Sequence, residues 1–190
     1  MKRSIAIAVG AIALAGALGI PRIGESSSAV VFSSRSNEGE VWVSVDLTRH
    51  RLDQDYVPFQ VVVRNTANRS ITLNRSSFRV IGADHKPIPL SAFDAWRRDY
   101  TLATADLTMM RFFGLPFGTL LDVNDLEPCN FFPVTSTAGV LIDQVMLAPF
   151  HWTTDLLYFK QPAGLSEGHK VVLEVAPDGW EAPIKVDIQL

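Results

Sequence analysis

The sequence predicts an all-β fold, an antiparallel β-sandwich interrupted by one helical insertion. Several short segments alternate apolar and polar residues with a period of two, and residues rich in Gly, Pro and Asn separate them. No regular succession of strand and helix occurs, so a parallel sheet is not expected. A chain of 190 residues is long enough to form one domain with a sizeable core.

The strands are justified by alternation and by the turns that end them. In the first segment Val41, Val43, Val45 and Leu47 share one face, as a half-buried strand requires. The last segment alternates up to Leu190 and must pair with a sheet already built from the preceding chain. Both halves of the sequence therefore belong to one domain. The predicted strands are residues 41–47, 59–64, 71–73, 78–81, 156–159, 171–175 and 184–190.

A helical insertion is predicted over residues 91–113. Its large side chains recur at intervals of three and four, which places them on one helical face: Phe93, Trp96, Tyr100, Ala103, Leu107 and Met110. Ser91 and Asp94 are spaced as a capping box, and Gly114 followed by Pro116 ends the helix. Residues 101–104 contain β-branched threonines, so two helices with a break there are the alternative.

The candidate binding residues follow from an apolar run over residues 109–121, which has one charge in thirteen positions. If exposed, such a run forms a patch for a protein or membrane partner; if buried, it fills the sandwich. Both alternatives stay open at this stage. The residues predicted to bind are Met109, Met110, Phe112, Phe113, Leu115 and Phe117.

The N-terminal residues 1–23 have the pattern of an export signal. Lys2 and Arg3 precede sixteen residues without a polar side chain, 5–20, which predict an apolar helix of about 24 Å. This length is compatible with a cleaved signal peptide or an uncleaved membrane anchor, and either places the body outside the cytoplasm, in the periplasm or its equivalent. Residues 24–38 form a Ser-rich tether with one short strand at 29–32, and residues 39–190 form the sandwich.

Charge and cysteine content exclude several classes of partner and stabilisation. The net charge is −3 for the whole chain and −5 without Lys2 and Arg3, so neither nucleic acid nor an anionic bilayer is expected to bind the body. Cys129 is the only cysteine, which rules out an intramolecular disulfide. We expect its thiol to be buried and unreactive.

Catalytic and metal-binding motifs are absent from the sequence, and we expect no cofactor. The histidines His50, His85, His151 and His169 stand singly, without the spacing of a zinc site. Asp122 begins a sequence that resembles a calcium loop, but Glu127 occupies the position that requires glycine. A looser calcium site remains open there, or at Asp46, Asp53 and Asp55, as does a hydrolase site assembled from distant residues.

Two stretches of the body resemble a family of bacterial exported immunoglobulin-like domains of unknown function, found in small envelope proteins and lipoproteins. In the first, an aliphatic strand at 56–65 ends in Asn65, a short strand follows at 71–73, and residues 77–80 lead to a turn with Asp84. The second comprises residues 157–159, a Gly-bounded loop at 164–168, and residues 171–175. The resemblance implies an immunoglobulin-like fold outside the cytoplasm and no catalytic site.

These observations together predict a non-catalytic exported binding or structural module of the cell envelope. The helix and loop of residues 91–121 would be presented to a protein or lipid partner, and the N-terminal segment would hold the module to the membrane if it is not cleaved. An exported hydrolase and a calcium-dependent adhesion module are the alternatives.

Overall fold

The computed structural model describes residues 30–113, 122–134, 140–162 and 165–190. For residues 111–113 it describes the backbone only. Antiparallel strands dominate this part of the chain, as the sequence predicts, and helices are few. The strands are β1 (Val31–Arg35), β2 (Gly39–Ser44), β3 (Tyr56–Asn65), β4 (Ile71–Asn74), β5 (Phe78–Ile81), β6 (Pro87–Pro89), β7 (Gln144–Leu147), β8 (Trp152–Lys160), β9 (Lys170–Val175) and β10 (Ile184–Gln189).

The first sheet has the strand order β1-β2-β3-β8. Val61 of β3 lies opposite Val43 of β2 and opposite Asp155 of β8, so these three side chains share the face that looks into the sandwich. Almost every residue of β3 is buried, including those on the other face. Such a strand must be covered on both sides, which explains its nearly continuous apolar sequence.

The second sheet has the order β10-β9-β5-β6, and β4 and β7 form a separate pair beside it. Thr72 of β4 forms a bridge with Asp178, just beyond the end of β9, so β4 continues the line of β5. Odd-numbered residues of β9 and even-numbered residues of β10 face inward and are buried. They pack with the inner face of the first sheet into one hydrophobic core.

The helices are α1 (Asp46–Arg49), which follows β2 and contacts β3, and α2 (Phe93–Asp99) and α3 (Ala103–Phe113), which lie on the outer face of the first sheet. Tyr158 lies on this face of β8, and its ring is 4.9 Å from Trp96 and 5.1 Å from Tyr100, measured between centroids. The aromatic face predicted for the insertion is therefore the buried face. The insertion consists of two helices, and the predicted break falls between Asp99 and Ala103.

The predicted capping box at Ser91 is wrong. Helix α2 begins at Phe93 and its N-cap is Ala92, which makes no side-chain capping bond. Ser91 instead donates its backbone N–H to the Tyr158 carbonyl at 3.0 Å, and its own carbonyl accepts from Arg75. Because Ser91 is held against β8, it cannot begin the helix.

Other differences from the sequence predictions concern short elements. The strand predicted for 41–47 ends at Ser44, because residues from Asp46 turn into α1 and Thr48 donates its hydroxyl to the Pro58 carbonyl at 2.5 Å. Strands β6 and β7 have no counterpart in the prediction. The short strand expected at 29–32 is β1, which lies at Val31–Arg35 and pairs with β2.

The N-terminal predictions lie outside the described residues. The leader 1–23 with its apolar helix 5–20 falls there, as does the tether up to residue 29. None of the helices described here has the length and apolar character needed to cross a bilayer.

Candidate binding surface

A buried carboxylate fixes the insertion to the body of the protein. Asp106 on α3 has no exposed surface. It accepts hydrogen bonds from Arg51 Nε at 2.7 Å, the Tyr100 hydroxyl at 2.5 Å and the Tyr158 hydroxyl at 3.0 Å. We call these four residues the Asp106 cluster. It joins α3 to α2, to β8 and to the segment after α1, so the position of the insertion is set by charge as well as by packing.

The electrostatics of the cluster keep both phenols protonated. Burial raises the pKa of Tyr100 and Tyr158, and the negative charge of Asp106 raises each further. The pKa of Arg51 is also raised: burial opposes the shift, but the hydrogen bond and the charge of Asp106 outweigh it. The arrangement therefore serves to hold α3 rather than to exchange protons.

The sequence contains a signal for this cluster, which is a carboxylate on the apolar face of a helix. Asp106 comes three residues after Ala103 and four before Met110, so it lies on the same helical face as the buried aromatic residues. A carboxylate on an apolar face needs buried donors, which Arg51 and the two tyrosines supply.

The residues predicted to bind a partner are only partly within the described structure. Met109 and Met110 are half-buried and pack against the core, and an Arg51 guanidinium nitrogen lies 3.3 Å from the Met109 sulfur. Phe112 and Phe113 belong to α3, but their side chains are outside the described atoms. The remaining two, Leu115 and Phe117, lie outside the described residues, so their role stays a prediction.

Exposed apolar side chains are concentrated just after the insertion. Val31 apart, every large exposed apolar side chain of the described residues lies between positions 123 and 150. Met146 is 66% exposed and Phe150 is 53% exposed. We call this region the 123–150 surface; its exposed apolar members are Val123, Leu126, Val140, Leu141, Met146 and Phe150.

Backbone contacts hold the parts of the 123–150 surface together. Glu127 donates its N–H to the Trp152 carbonyl at 2.8 Å, and the Trp152 indole donates to the Asp122 carbonyl at 2.7 Å. Farther along, Ile142 donates its N–H to the Asn130 carbonyl at 2.9 Å. The segment from Asp122 to Asn130 thus contacts both the start of β8 and the residues just before β7.

Phe150 has an unusual backbone conformation, with φ at 68°. A bulky side chain rarely adopts a positive φ, because its Cβ then approaches the backbone carbonyl. The residue lies in the tight turn between β7 and β8, which His151 closes by donating to the Ala148 carbonyl at 3.1 Å. The turn holds the exposed Phe150 ring at some cost in backbone energy.

A cavity of about 360 Å³ opens beside this surface. Its polar members include Cys129, Asn130 and Asp155, and most of the remaining wall is apolar, with Leu107, Phe132, Val134, Val140, Ile142 and Leu156 among the lining residues. Asp155 accepts the backbone N–H of Phe131 at 2.6 Å and that of Leu156 at 2.8 Å. Burial raises the pKa of this carboxyl to about 6, although both hydrogen bonds act in the opposite direction.

Cys129 lies in the wall of this cavity and is half-buried. Its sulfur is 3.8 Å from Asp155 Oδ2. Burial raises the pKa of the thiol, and the nearby carboxylate raises it further. Because the thiolate is the reactive form, this cysteine is a poor nucleophile.

Acidic residues outnumber lysines and arginines in this region. The sequence has no Lys or Arg between Arg111 and Lys160, whereas it has five acidic residues there. They are Asp122, Asp125, Glu127, Asp143 and Asp155. Arg75, from outside this stretch, donates to the Phe131 carbonyl at 3.0 Å and lies over the Phe132 ring, and its charge acts on Asp143 and Asp155.

The histidines are not brought together. His151 Nδ1 is 2.8 Å from Glu127 Oε1, and His169 Nδ1 is 3.0 Å from the Ser166 hydroxyl in an exposed turn. His85 is exposed in a different turn, where its φ is 59°. In the described chain no histidine shares the cavity beside Cys129, so the geometry favours no hydrolase site there.

The acidic groups considered for calcium have local partners. Asp122 caps the 3₁₀ turn at Val123–Asp125 by accepting the Asn124 N–H at 2.9 Å. Asp46 accepts from the Val30 N–H and the Ser44 hydroxyl. Within the described ranges, no group of three or more His, Cys, Asp or Glu side chains is placed to hold a metal ion.

Comparisons of the chain with protein-family models, with curated proteins and with solved structures gave no match. The class defined by the structure is therefore a mostly β protein of antiparallel sheets with a helical insertion.

Proposed function

We propose that this protein is a non-catalytic, exported binding module that presents the 123–150 surface and the adjoining insertion to a protein partner. One observation carries the proposal: exposed apolar side chains cluster in a single stretch of the chain, whereas those of the sheets are mostly buried. Large contiguous apolar patches on a soluble domain usually mark an interaction site, and the proposal takes these side chains to belong to one such patch. An immunoglobulin-like sandwich, as the resemblance implies, would serve as the rigid support.

The charge of the surface favours protein over lipid as the partner. A stretch with five acidic residues and no lysine or arginine between positions 112 and 159 is expected to be repelled by anionic headgroups. The turn with Phe150 and the anchored helix α3 give the surface a fixed shape, which lowers the entropic cost of binding. The N-terminal pattern of Lys2, Arg3 and the apolar run 5–20 supports export.

Photo-crosslinking in the source cells tests the binding function. A benzoylphenylalanine is introduced at position 146, 150 or 31 of the full chain, and adducts are resolved by mass. Val31 is the matched control, because it is an exposed apolar residue outside the 123–150 surface. We expect one defined protein adduct from positions 146 and 150 and none from 31. Equal adducts from all three positions would refute a specific surface.

Vesicle flotation distinguishes a lipid partner. The full chain and its M146E/F150E variant are compared on phosphatidylcholine vesicles with and without phosphatidylglycerol. Both proteins share the same leader, so a difference between them reports on the surface alone. We expect no difference between the two proteins. Reduced flotation of the variant would show that the surface binds lipid, and would contradict a protein partner.

Export is tested separately by a reporter. A fusion of residues 1–40 to alkaline phosphatase, which gains activity only outside the cytoplasm, should be active. The same fusion with K2E and R3E should lose orientation and activity. An inactive wild-type fusion would contradict export.

A further inference from the structure

Strand β7 has an open edge beside the exposed apolar side chains. Thr72 of β4 exchanges two backbone hydrogen bonds with Asp178, each of 2.9 Å, so its N–H and C=O point away from β7. Consecutive residues of an antiparallel strand direct these groups to opposite sides. Met146 lies opposite Thr72, and its own N–H and C=O therefore point away from β4, as do those of Gln144. No described residue pairs with either backbone edge.

The open edge ends at the cavity that contains Asp155. Ile142 already pairs with Asn130, so the free part of the edge is limited to Gln144 and Met146. An extended segment from another molecule could pair with these two residues but not with Ile142. Ile142 and Asn130 both line the cavity, and Gln144 is two residues farther along the strand, or about 7 Å. A long side chain from a segment on this edge can therefore reach the cavity.

The surroundings of the edge select the chemistry of the segment. Met146 offers apolar contact, and the five carboxylates between residues 112 and 159 are not balanced by a lysine or arginine of the same stretch. Arg75 donates to the carbonyls of Phe131 and Ser91, and its positive charge acts on Asp143 and Asp155, so one cation faces the five carboxylates. An acidic or polar segment would be repelled or poorly covered, whereas a basic and apolar one is complementary.

We propose that the partner adds an extended, basic and apolar polypeptide segment to the open edge of β7 and directs one cationic side chain to the cavity beside Asp155. This inference rests on the proposed binding function and specifies its partner. The segment gains main-chain hydrogen bonds from the edge, and the charge of the anchor supplies selectivity.

Calorimetric titration of the full chain with defined peptides tests the selectivity. The probes are ten-residue peptides with free ends blocked, one alternating valine with lysine, one alternating valine with glutamate and one alternating threonine with lysine. We expect the valine–lysine peptide to bind at least tenfold more tightly than either of the others. Raising the salt from 50 to 300 mM should reduce its advantage over the glutamate peptide. Equal or tighter binding of the glutamate peptide would overturn the inference.

Three variants test the geometry. M146P removes the outward N–H of the open edge, so we expect at least a tenfold loss of peptide affinity. M146T keeps this N–H and is the control, with an expected loss below threefold. D155N removes the anchoring charge and should reduce the preference for lysine over glutamate. A preference that survives in D155N unchanged would refute the role of the cavity.

Hydrogen exchange on the wild-type protein keeps the test valid if M146P fails to fold. The amides of Gln144 and Met146 should become protected when the valine–lysine peptide is added, while an amide outside the surface, such as that of Val31, should not. Protection absent at both would overturn strand addition. A protein adduct from position 146 without any lysine preference would leave the proposed function in place and reject this inference alone.

Discussion

Replacement of Asp106 by asparagine should strongly destabilise the protein, because it removes the charge at the centre of the Asp106 cluster. The Arg51 side chain is only 13% exposed and would lose its ion-pair partner at 2.7 Å. Breaking a buried ion pair from one side costs about 3–5 kcal/mol. Arg51 also donates to the His50 carbonyl and can partly turn toward solvent, so the lower end, about 3 kcal/mol, is expected.

The hydrogen bonds from the Tyr100 and Tyr158 hydroxyls to Asp106 make a separate contribution to stability. Asparagine keeps one carbonyl oxygen that can accept from either phenol, so the two bonds are weakened rather than lost. Removing one hydroxyl alone, as in Y158F, should cost about 1–2 kcal/mol, since it deletes one hydrogen bond to a charged group. D106N is therefore expected to lower the free energy of unfolding more than Y158F does.

Urea unfolding of the purified chain measures these values, and thermal melting should show a decrease of about 6–12 °C for D106N. The double variant R51M/D106N is the control, because it replaces the isolated cation with an apolar side chain and should recover part of the loss. A cost for D106N below about 0.5 kcal/mol, or no coupling between Arg51 and Asp106, would refute the reasoning.

The remaining predictions concern buried groups and close packing. Cys129 should react with iodoacetamide at pH 8 much more slowly in the native protein than in urea, because its pKa is raised; equal rates would contradict this. Asp155 has a pKa raised to about 6, above its unfolded value, so the stability it contributes is full below about pH 4 and is lost as the pH rises through 6. D155N should reduce the change in the free energy of unfolding between pH 4 and 7, measured by urea titration, by about 1–3 kcal/mol; an unchanged pH dependence would assign it to other groups. Gly39→Ala should cost about 1–3 kcal/mol, because the added Cβ overlaps the Trp180 ring. Gly168→Ala, where φ is +85° and the space is open, should cost about 1 kcal/mol from the backbone alone; a melting comparison in which Gly168→Ala is the more harmful would show that Trp180 moves aside.

The alternating segments were the parts of the fold that sequence reasoning placed well. Strand β5 lies at the predicted residues, and β9 and β10 differ by one residue at one end. In β5 and β10 the residues of one face are buried in the core and those of the other face are more exposed, so the physical environment produces the pattern that the sequence shows. The break between α2 and α3 was also foreseen, from the threonines near position 101.

Elements held by distant contacts were missed. Strand β7 depends on pairing with β4, more than seventy residues earlier in the chain, and no alternation marks its neighbours. The α1 turn at Asp46–Arg49 interrupts a perfect alternation, because Thr48 reaches the Pro58 carbonyl on β3. In both cases a tertiary hydrogen bond decides the local structure.

The candidate binding residues were predicted from an apolar run in the sequence. In the structure, the exposed apolar side chains lie mostly in the residues that follow this run. Met109 and Met110 are half-buried, whereas Met146 and Phe150, which lie in a shorter apolar run at 145–150, are exposed. Exposure depends on what packs against a side chain, and a single apolar residue in a turn carries no sign of it.

The sequence by itself determined the mostly β class of fold, the presence of a helical insertion and the excess of acidic residues after Arg111, because alternation, helical spacing and charge are properties of neighbouring residues. The tertiary structure alone decided that Asp106 is buried and that no strand of the described residues pairs with the outer edge of β7. Both depend on partners far away in the chain, Arg51 for the first and β4 for the second. Local sequence records a residue's own preference, but only the folded chain fixes which groups meet and which remain without a partner.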